Sequence, residues 1–337
     1  SKGDEAGILA MLKDAAIEGE APRIEPDAGA AGRRYLDRFA GLLGAKTLSG
    51  MRVGVFEHST VARDMLASVL SDHGAEVVRL GRTDTFVPVD TEAFADTVFA
   101  PLRDWVRDCR LDALVSADGD GDRPLLMDEA GQFVRGDVLG LLTARHLRAR
   151  CIVTPVTSNS AIEAMGFFER VVRTRVGSPY VVEAMAGAGE NVVGFEANGG
   201  TFVGGGVAVE GQPLPPLATR DAILPLLCTL GEAARQGKPV SQLHAELPLQ
   251  HALADRLQNV PGERSASFLQ RLAEDEDYVA RTFEPHEVVR SAAIDGLQFW
   301  LRSGQMVHFR ASGNAPELRC YVEADSAMQA RSMLDWG

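Results

Sequence analysis

The chain has 337 residues, 45% hydrophobic and 24% charged, with a formal net charge of -13. That length exceeds one small core and predicts roughly two or three domains. The acidic balance excludes a non-specific nucleic-acid binder, which needs a basic face to neutralise phosphates. The four cysteines, Cys109, Cys151, Cys228 and Cys320, form no CxxC pair, which speaks against a disulfide framework or a thiolate zinc site. No run of ~18 apolar residues marks a membrane span, and the N-terminus has no signal-peptide pattern. The expected location is the cytoplasm.

Residues 1–23 predict one helix ended by Pro22, followed by a Gly/Ala connector over 28–33 and a second helix from Tyr35 to Leu43, with Tyr35, Phe39, Leu42 and Leu43 on one face. From Met51 strands and helices alternate. MRVGVFE, AEVVRL and LDALVSA read as strands, ARDMLASVLSDHG and the segment around FADTVFAPLRDWVRD as helices, and the third strand runs into DGDGDR. A second block repeats the rhythm with the strand CIVTPVT, the helix SAIEAMG, the strand RVVRTR, the helix SPYVVEAMAGAG and the strand NVVGFE. A hairpin over TFVGGGVAVEG and the helix DAILPLLCTLGEAARQG complete it. This is the signature of sheets with helices on their faces. In the last block, the helix around ASFLQRLAED precedes four strands, EVVRSAAI, LQFWLR, QMVHFRA and LRCYVEA, and a final helix SAMQARSMLDW, which predicts an α+β domain.

The sharpest signal is Asp118-Gly-Asp120-Gly-Asp122-Arg123 at a strand end. Three carboxylates at alternate positions repel one another, and a hard cation relieves that repulsion. The intervening glycines let all three turn to one point, and open α/β sheets place ligands at such strand ends. A solvated acidic turn explains the composition but not the strict alternation. A calcium loop of EF-hand type finds its twelfth-position Glu129, but has Arg123 where it needs glycine and a strand where it needs a helix.

Further on, Arg310-Ala-Ser312-Gly313-Asn314 and Arg319 lie between two predicted strands. Arginine forks, a hydroxyl, an amide and freed backbone N–H groups suit a phosphate, and a tight hairpin turn suits the same residues. In Gly194-Phe-Glu196-Ala-Asn198-Gly199-Gly200, Glu196 and Asn198 alternate and can face one way toward a sugar's vicinal hydroxyls; a polar turn is the plainer reading. Gly177-Ser178-Pro179 reads as a helix N-terminus with Ser178 as cap and Pro179 at the first helical position, an end that attracts anions.

Taken together and in this order, these segments resemble the α-D-phosphohexomutase superfamily, which includes phosphomannomutases and phosphoglucomutases. DGDGDR looks like its magnesium loop, GFEANGG its sugar-recognition loop and RASGNAPELRCYVEA its phosphate-binding loop, and the likeness runs from about residue 34 to the end. The implied fold is α/β: two βα-layered domains resembling the family's second and third, then a smaller α+β C-terminal domain. Residues 1–33 would be the remnant helix and linker of a missing first domain, 34–150 a metal-binding domain, 151–247 a sugar-recognition domain and 248–337 a phosphate-binding domain.

The implied activity is that of a phosphomannomutase, converting mannose 6-phosphate to mannose 1-phosphate through a phosphoserine enzyme and a bisphosphate intermediate. Phosphoglucomutase and phosphoglucosamine mutase are alternatives within the family, and a non-catalytic sugar-phosphate-binding paralogue is the alternative from another class. The resemblance implies Mg²⁺ on Asp118, Asp120 and Asp122, with Arg123 as the catalytic residue at the transferring phosphoryl group. It places the sugar hydroxyls on Glu196 and Asn198, with Gly177 also in the substrate site, and the other phosphate on Arg310, Ser312, Gly313, Asn314 and Arg319. His308 is a candidate general base, although a core or strand-surface role suits it better. The implied partners are hexose phosphates, hexose 1,6-bisphosphate and the first domain in cis, with no nucleic acid and no membrane. The family's serine loop reads approximately T-x-S-H-N-P. No such segment occurs in these residues, and Ser59 belongs after the first strand of the second-domain likeness, so the chain alone is expected to be inactive. Many relatives read G-E-x-S-G-H in the sugar loop; this chain keeps Glu196 but carries Asn198 and Gly200 in place of the serine and histidine.

Overall fold

The computed structural model of the chain describes residues 7, 9–11, 29–89, 91, 96–313 and 315–337. The predicted opening helix and Asn314 therefore lie largely or wholly outside the described residues. The described elements are, in order, α1 (Ala30–Asp37), β1 (Arg52–Phe56), α2 (Arg63–Asp72), β2 (Glu76–Leu80), α3 (Asp96–Asp108), β3 (Ala113–Ala117), β4 (Pro124–Asp128), α4 (Gly136–His146), β5 (Cys151–Pro155), β6 (Arg170–Thr174) and α5 (Ser178–Ala186). They continue with β7 (Val192–Phe195), β8 (Thr201–Val203), β9 (Ala208–Val209), β10 (Gln212–Pro213), β11 (Leu217–Asp221), α6 (Ile223–Gln236), α7 (Val240–Ala245) and β12 (His251–Gln258). The last part holds α8 (Gly262–Glu274), α9 (Glu276–Phe283), β13 (Val288–Ala292), β14 (Leu297–Leu301), β15 (Met306–Ala311), β16 (Glu317–Ala324) and α10 (Ala327–Trp336).

Three sheets carry the fold. The first has the order β2-β1-β3-β4, with β1 parallel to β2 and β3 and β4 antiparallel to β3. Every residue of β3 is buried, which is why ALVSA reads as an unbroken small and apolar run. The second sheet has the order β11-β8-β7-β5-β6, and the third, wholly antiparallel, β12-β16-β15-β14-β13. The first two sheets share a core in which Val53, Val55, Leu139, Leu142, Val193, Phe195, Ile223 and Leu227 pack together. The last sheet has its own, built from Phe283, Phe299, Phe309, Val322 and Met333.

The third sheet is seated on loops of the second by polar contacts. Asn159 Nδ2 donates to Gln250 O at 2.8 Å, Gln298 Nε2 to Val156 O at 3.2 Å, and Ser160 N to the Glu323 carboxylate at 3.1 Å. Arg135 Nη1 reaches Ala252 O at 3.0 Å. No helix among the described residues is long and apolar enough to cross a membrane, and all four cysteines are free thiols.

Several local expectations are corrected. The helix expected over Tyr35–Leu43 starts earlier and ends at Asp37, leaving Phe39, Leu42 and Leu43 buried on turns. SAIEAMG forms only a three-residue 3-10 turn, Glu163–Met165, which Gly166 at φ 64° ends. The predicted hairpin TFVGGGVAVEG is divided: β8 pairs with β7 and β11, and the hairpin proper is β9–β10. The unforeseen helix α4 is buried along nearly its whole length. A helix buried on nearly all sides, Asp137 and Thr143 included, shows no single apolar stripe to read.

Candidate functional site

The acidic loop joins two antiparallel strands. The β3–β4 register ends at Ala117 opposite Pro124, so residues 118–123 form the tip of a buried hairpin at the carboxyl end of β3. Asp118 N donates to Arg123 O and Gly121 N to Asp118 O, while Asp118 Oδ1 accepts from Asp122 N at 3.1 Å and Arg123 N at 3.0 Å. Gly121 turns the chain at φ 78°. Asp118 is thereby fixed and buried, Asp122 half-buried and Asp120 exposed, and one ligand oxygen from each comes within 4.8 Å of the others. Burial, and then the charges of Asp122 and Asp120, push the Asp118 carboxyl up to about 6 despite hydrogen bonding from Arg123 N–H. Buried Asp122 Oδ1 has no hydrogen-bond partner. Converging hard oxygens, like charge that keeps Asp118 raised and an orphaned buried acceptor are the chemistry of a divalent-cation site. Arg123 stands beside it, with Nε 3.7 Å from Asp118 Oδ2 and 3.8 Å from Asp122 Oδ1. Glu129 is committed elsewhere, to Ser241 N and Oγ at the start of α7, so no calcium loop forms. Ser59 Oγ accepts from Val87 N at 2.8 Å, a structural task.

The sugar-type loop, 196–200, closes the turn between β7 and β8. Glu196 N donates to Gly200 O and Gly199 N to Glu196 O. Asn198 Oδ1 is spent inside the turn on Gly200 N at 3.0 Å. Gly136, the first residue of α4, lies directly against this loop: a Cβ there would come within 2.2 Å of Gly199 N and 2.4 Å of Ala197 O.

Arg220 on β11 joins the two loops, and no local sequence pattern points to it. Its Nε donates to Glu196 Oε2 at 2.6 Å and its Nη1 to Asp122 Oδ2 at 3.1 Å. Strand alternation sends the next residue, Asp221, to the opposite side. There its carboxylate is buried and accepts from Ile223 N and Leu224 N, capping α6, and from Tyr35 Oη.

The third sheet supplies positive charge. Arg310 and Arg319 are direct cross-strand partners on β15 and β16, and Arg256 on β12 pairs with Arg319 in turn, so three arginines line one face in a row. Like charges directly opposite are unfavourable, and acidic neighbours offset them. Arg310 Nε donates to Asp295 Oδ2 at 2.8 Å, and Glu317 lies 3.5 Å from Arg319 and 3.7 Å from Arg256. Ser312 N donates to Glu317 O, and Gly313 faces open space. Asp295 Oδ2 also accepts from Val176 N at 2.9 Å, which brings the arginine row to the segment before α5. At that segment the N-cap of α5 is Gly177, not Ser178; Pro179 does sit in the first turn, and no side chain caps the end.

Two residues before Arg310 and two after Arg319, on the same face as the arginines, are His308 and Tyr321, themselves cross-strand partners. They line a cavity of about 310 Å³ together with Ala197 of the sugar-type loop, Gly136 and Glu323. The arginine-bearing face therefore looks toward the loop that carries Glu196. His308 is fully buried, stacks on Tyr321 and donates from Nε2 to Asp295 O at 2.6 Å. Burial pushes its imidazole down to about 4, so it is neutral and a weak base at neutral pH.

With this geometry in hand, known proteins can be set beside the chain. The family described as "Phosphoglucomutase/phosphomannomutase, alpha/beta/alpha domain III" matches residues 135–251. A phosphomannomutase of Sinorhizobium fredii is 43% identical over 347 residues, which cover all of this chain and 73% of that protein. Among solved structures, a phosphoglucomutase/phosphomannomutase family protein from Burkholderia thailandensis superposes with a TM-score of 0.75 at 18% identity, covering 98% of this chain and 68% of that one. The N-acetylphosphoglucosamine mutase of Aspergillus fumigatus, solved with GlcNAc-6P and magnesium, superposes with a TM-score of 0.59 at 18% identity, covering 89% of this chain and 64% of that one. The architecture is thus that of the phosphohexomutases. The chain belongs to the phosphoglucomutase/phosphomannomutase family of the α-D-phosphohexomutase superfamily.

Proposed function

We infer that the protein is a phosphomannomutase acting in the cytoplasm, exchanging mannose 6-phosphate and mannose 1-phosphate with Mg²⁺. One observation carries the reading: Arg220 joins the acidic loop to Glu196, and the sugar-type loop that holds Glu196 shares a cavity with the sheet face bearing Arg310 and Arg319. The Sinorhizobium relative supports mannose, and the Aspergillus complex supports magnesium and a hexose phosphate as ligand classes.

Asp118, Asp120 and Asp122 would hold the cation, whose charge offsets that on a transferring phosphoryl group. Arg123 would contact the same group from beside the acidic loop. Glu196 would accept from sugar hydroxyls; Asn198 acts by holding the turn that aims Glu196. Arg310 and Arg319, with Ser312, Gly313 and Asn314, would bind the phosphate that is not reacting, and Gly177 would border it through the contact of Val176 with Asp295. Such an anchor and clamp read features common to both orientations of a hexose 1,6-bisphosphate. The division at about residues 150 and 247 into metal, sugar and phosphate units belongs to the same reading.

The reaction also needs a phosphoserine, and no T-x-S-H-N-P segment exists in these residues. The chain by itself should therefore bind hexose phosphates without turning them over. The test is an isomerisation assay with mannose, glucose and glucosamine phosphates and Mg²⁺, on this chain and on the protein as its gene encodes it. Turnover of mannose phosphates by the encoded protein only is expected. Inactivity of both with all three sugars overturns the reading.

A further inference from the structure

Arg220 occupies the space beside Gly200 of the sugar-type loop. A Cβ built on Gly200 would meet Arg220 Cδ at 2.6 Å, Cγ at 2.8 Å and Cβ at 3.2 Å. Gly200 has no positive φ, so its lack of a side chain answers to the neighbouring arginine rather than to the backbone. The arginine stem lies where a larger residue's side chain would begin, and its fork closes on Glu196 and Asp122. Glu196 is only 4% exposed at its side chain, and Arg220 22%. The pair is shielded enough for charge-assisted hydrogen bonds to orient both groups. Arg220 also borders a cavity of about 680 Å³ with Ser178, Tyr180 and Thr219.

We propose that Arg220 is a specificity-determining positioning residue for the hexose phosphate, acting through Glu196 and admitted by Gly200. This rests on the proposed function. By holding Glu196 Oε2, Arg220 leaves one edge of that carboxylate to read sugar hydroxyls and fixes its direction. By touching Asp122, it sets a positive charge beside the cation site, so the two ligands are linked through one side chain. A bifurcating fork is needed for both contacts, and lysine, a point charge, cannot make them together.

The test is calorimetric titration of this chain and its R220M, R220K and G200A variants with Mn²⁺ alone, then with mannose 1-phosphate and glucose 1-phosphate in saturating Mg²⁺. R220M should bind mannose 1-phosphate about tenfold more weakly, the loss of one charge-assisted hydrogen bond, and its affinities for the two epimers should converge. The same variant should bind Mn²⁺ more tightly, because a like charge has gone. R220K should keep the Mn²⁺ affinity but lose the epimer preference, and G200A, which displaces the guanidinium without removing it, should lose that preference as well. A purely structural arginine would instead lower both affinities in R220M together. That result, or an epimer ratio unchanged in all three variants, overturns the inference while leaving the proposed function standing. Failure of the unmodified chain to bind either sugar phosphate overturns both.

Discussion

The acidic loop and the arginine row handle like charge in opposite ways. Asp118, Asp120 and Asp122 are crowded by a backbone that donates mainly to Asp118, and although Arg123 and Arg220 stand beside them, the Asp118 carboxyl stays raised and Asp122 Oδ1 lacks a hydrogen-bond partner. Arg256, Arg319 and Arg310 are crowded just as closely by strand register, yet Asp295 and Glu317 already offset them. The first arrangement is poised to gain from a cation. The second is poised to exchange carboxylates for a phosphate, at the cost of parting the ion pairs. A site of this kind keeps its strongest unmet demand at the metal and holds its anion anchor in a quenched form.

The largest expected effect breaks the backbone of the sugar-type loop, which Arg220 ties to the first region. Gly136→Ala drives a Cβ into the main chain of 197–199, where no rotamer can give way. Urea unfolding should show a loss of about 3 kcal/mol, the upper part of the overpacking range. Unchanged stability would mean that α4 does not position the sugar-type loop.

A pH experiment probes the second region. His308 is held near 4 against an ordinary value of 6.5; the unfolded chain therefore binds a proton that the folded chain refuses. Stability from this residue is complete above pH 6.5 and is lost as pH falls toward 4, by up to about 3 kcal/mol there. His308→Gln should flatten that slope in melts taken across this window. An identical slope would place the titration elsewhere.

The anchor itself is tested by Arg310→Ala, which should weaken hexose phosphate binding by about 1.5–3 kcal/mol, roughly ten- to a hundredfold. Equal affinity in the variant removes the row from the site. Arg256, at the exposed end of the row, should matter least. Arg256→Ala is expected to lower the affinity by less than about 1 kcal/mol, and less again at high salt. A loss equal to that of Arg310→Ala would make the row a single anion site.

What the sequence disclosed follows the same division. The acidic loop was legible because its alternation of aspartate and glycine is local, and the strand before it is an apolar run. The arginine row was half legible: Arg310 and Arg319 bracket a recognisable turn, but Arg256 joins them only through the β12–β16 register, and cross-strand pairing leaves no local pattern to read. Arg220 was invisible for a related reason. It lies in β11, five residues without apolar alternation, and reaches Glu196 across 24 positions. The elements β4, α4, α7, β12 and α9 were missed because they are too short, buried on all sides, or exposed along one edge, each of which erases the periodicity that marks an element.

Whether the three aspartates take up one divalent ion is decided by calorimetric Mn²⁺ titration of the chain and its Asp120→Asn variant. One site per chain, abolished or strongly weakened by a substitution that leaves the metal-free melting temperature intact, is the predicted result. Equal uptake by both, or none by either, would contradict it.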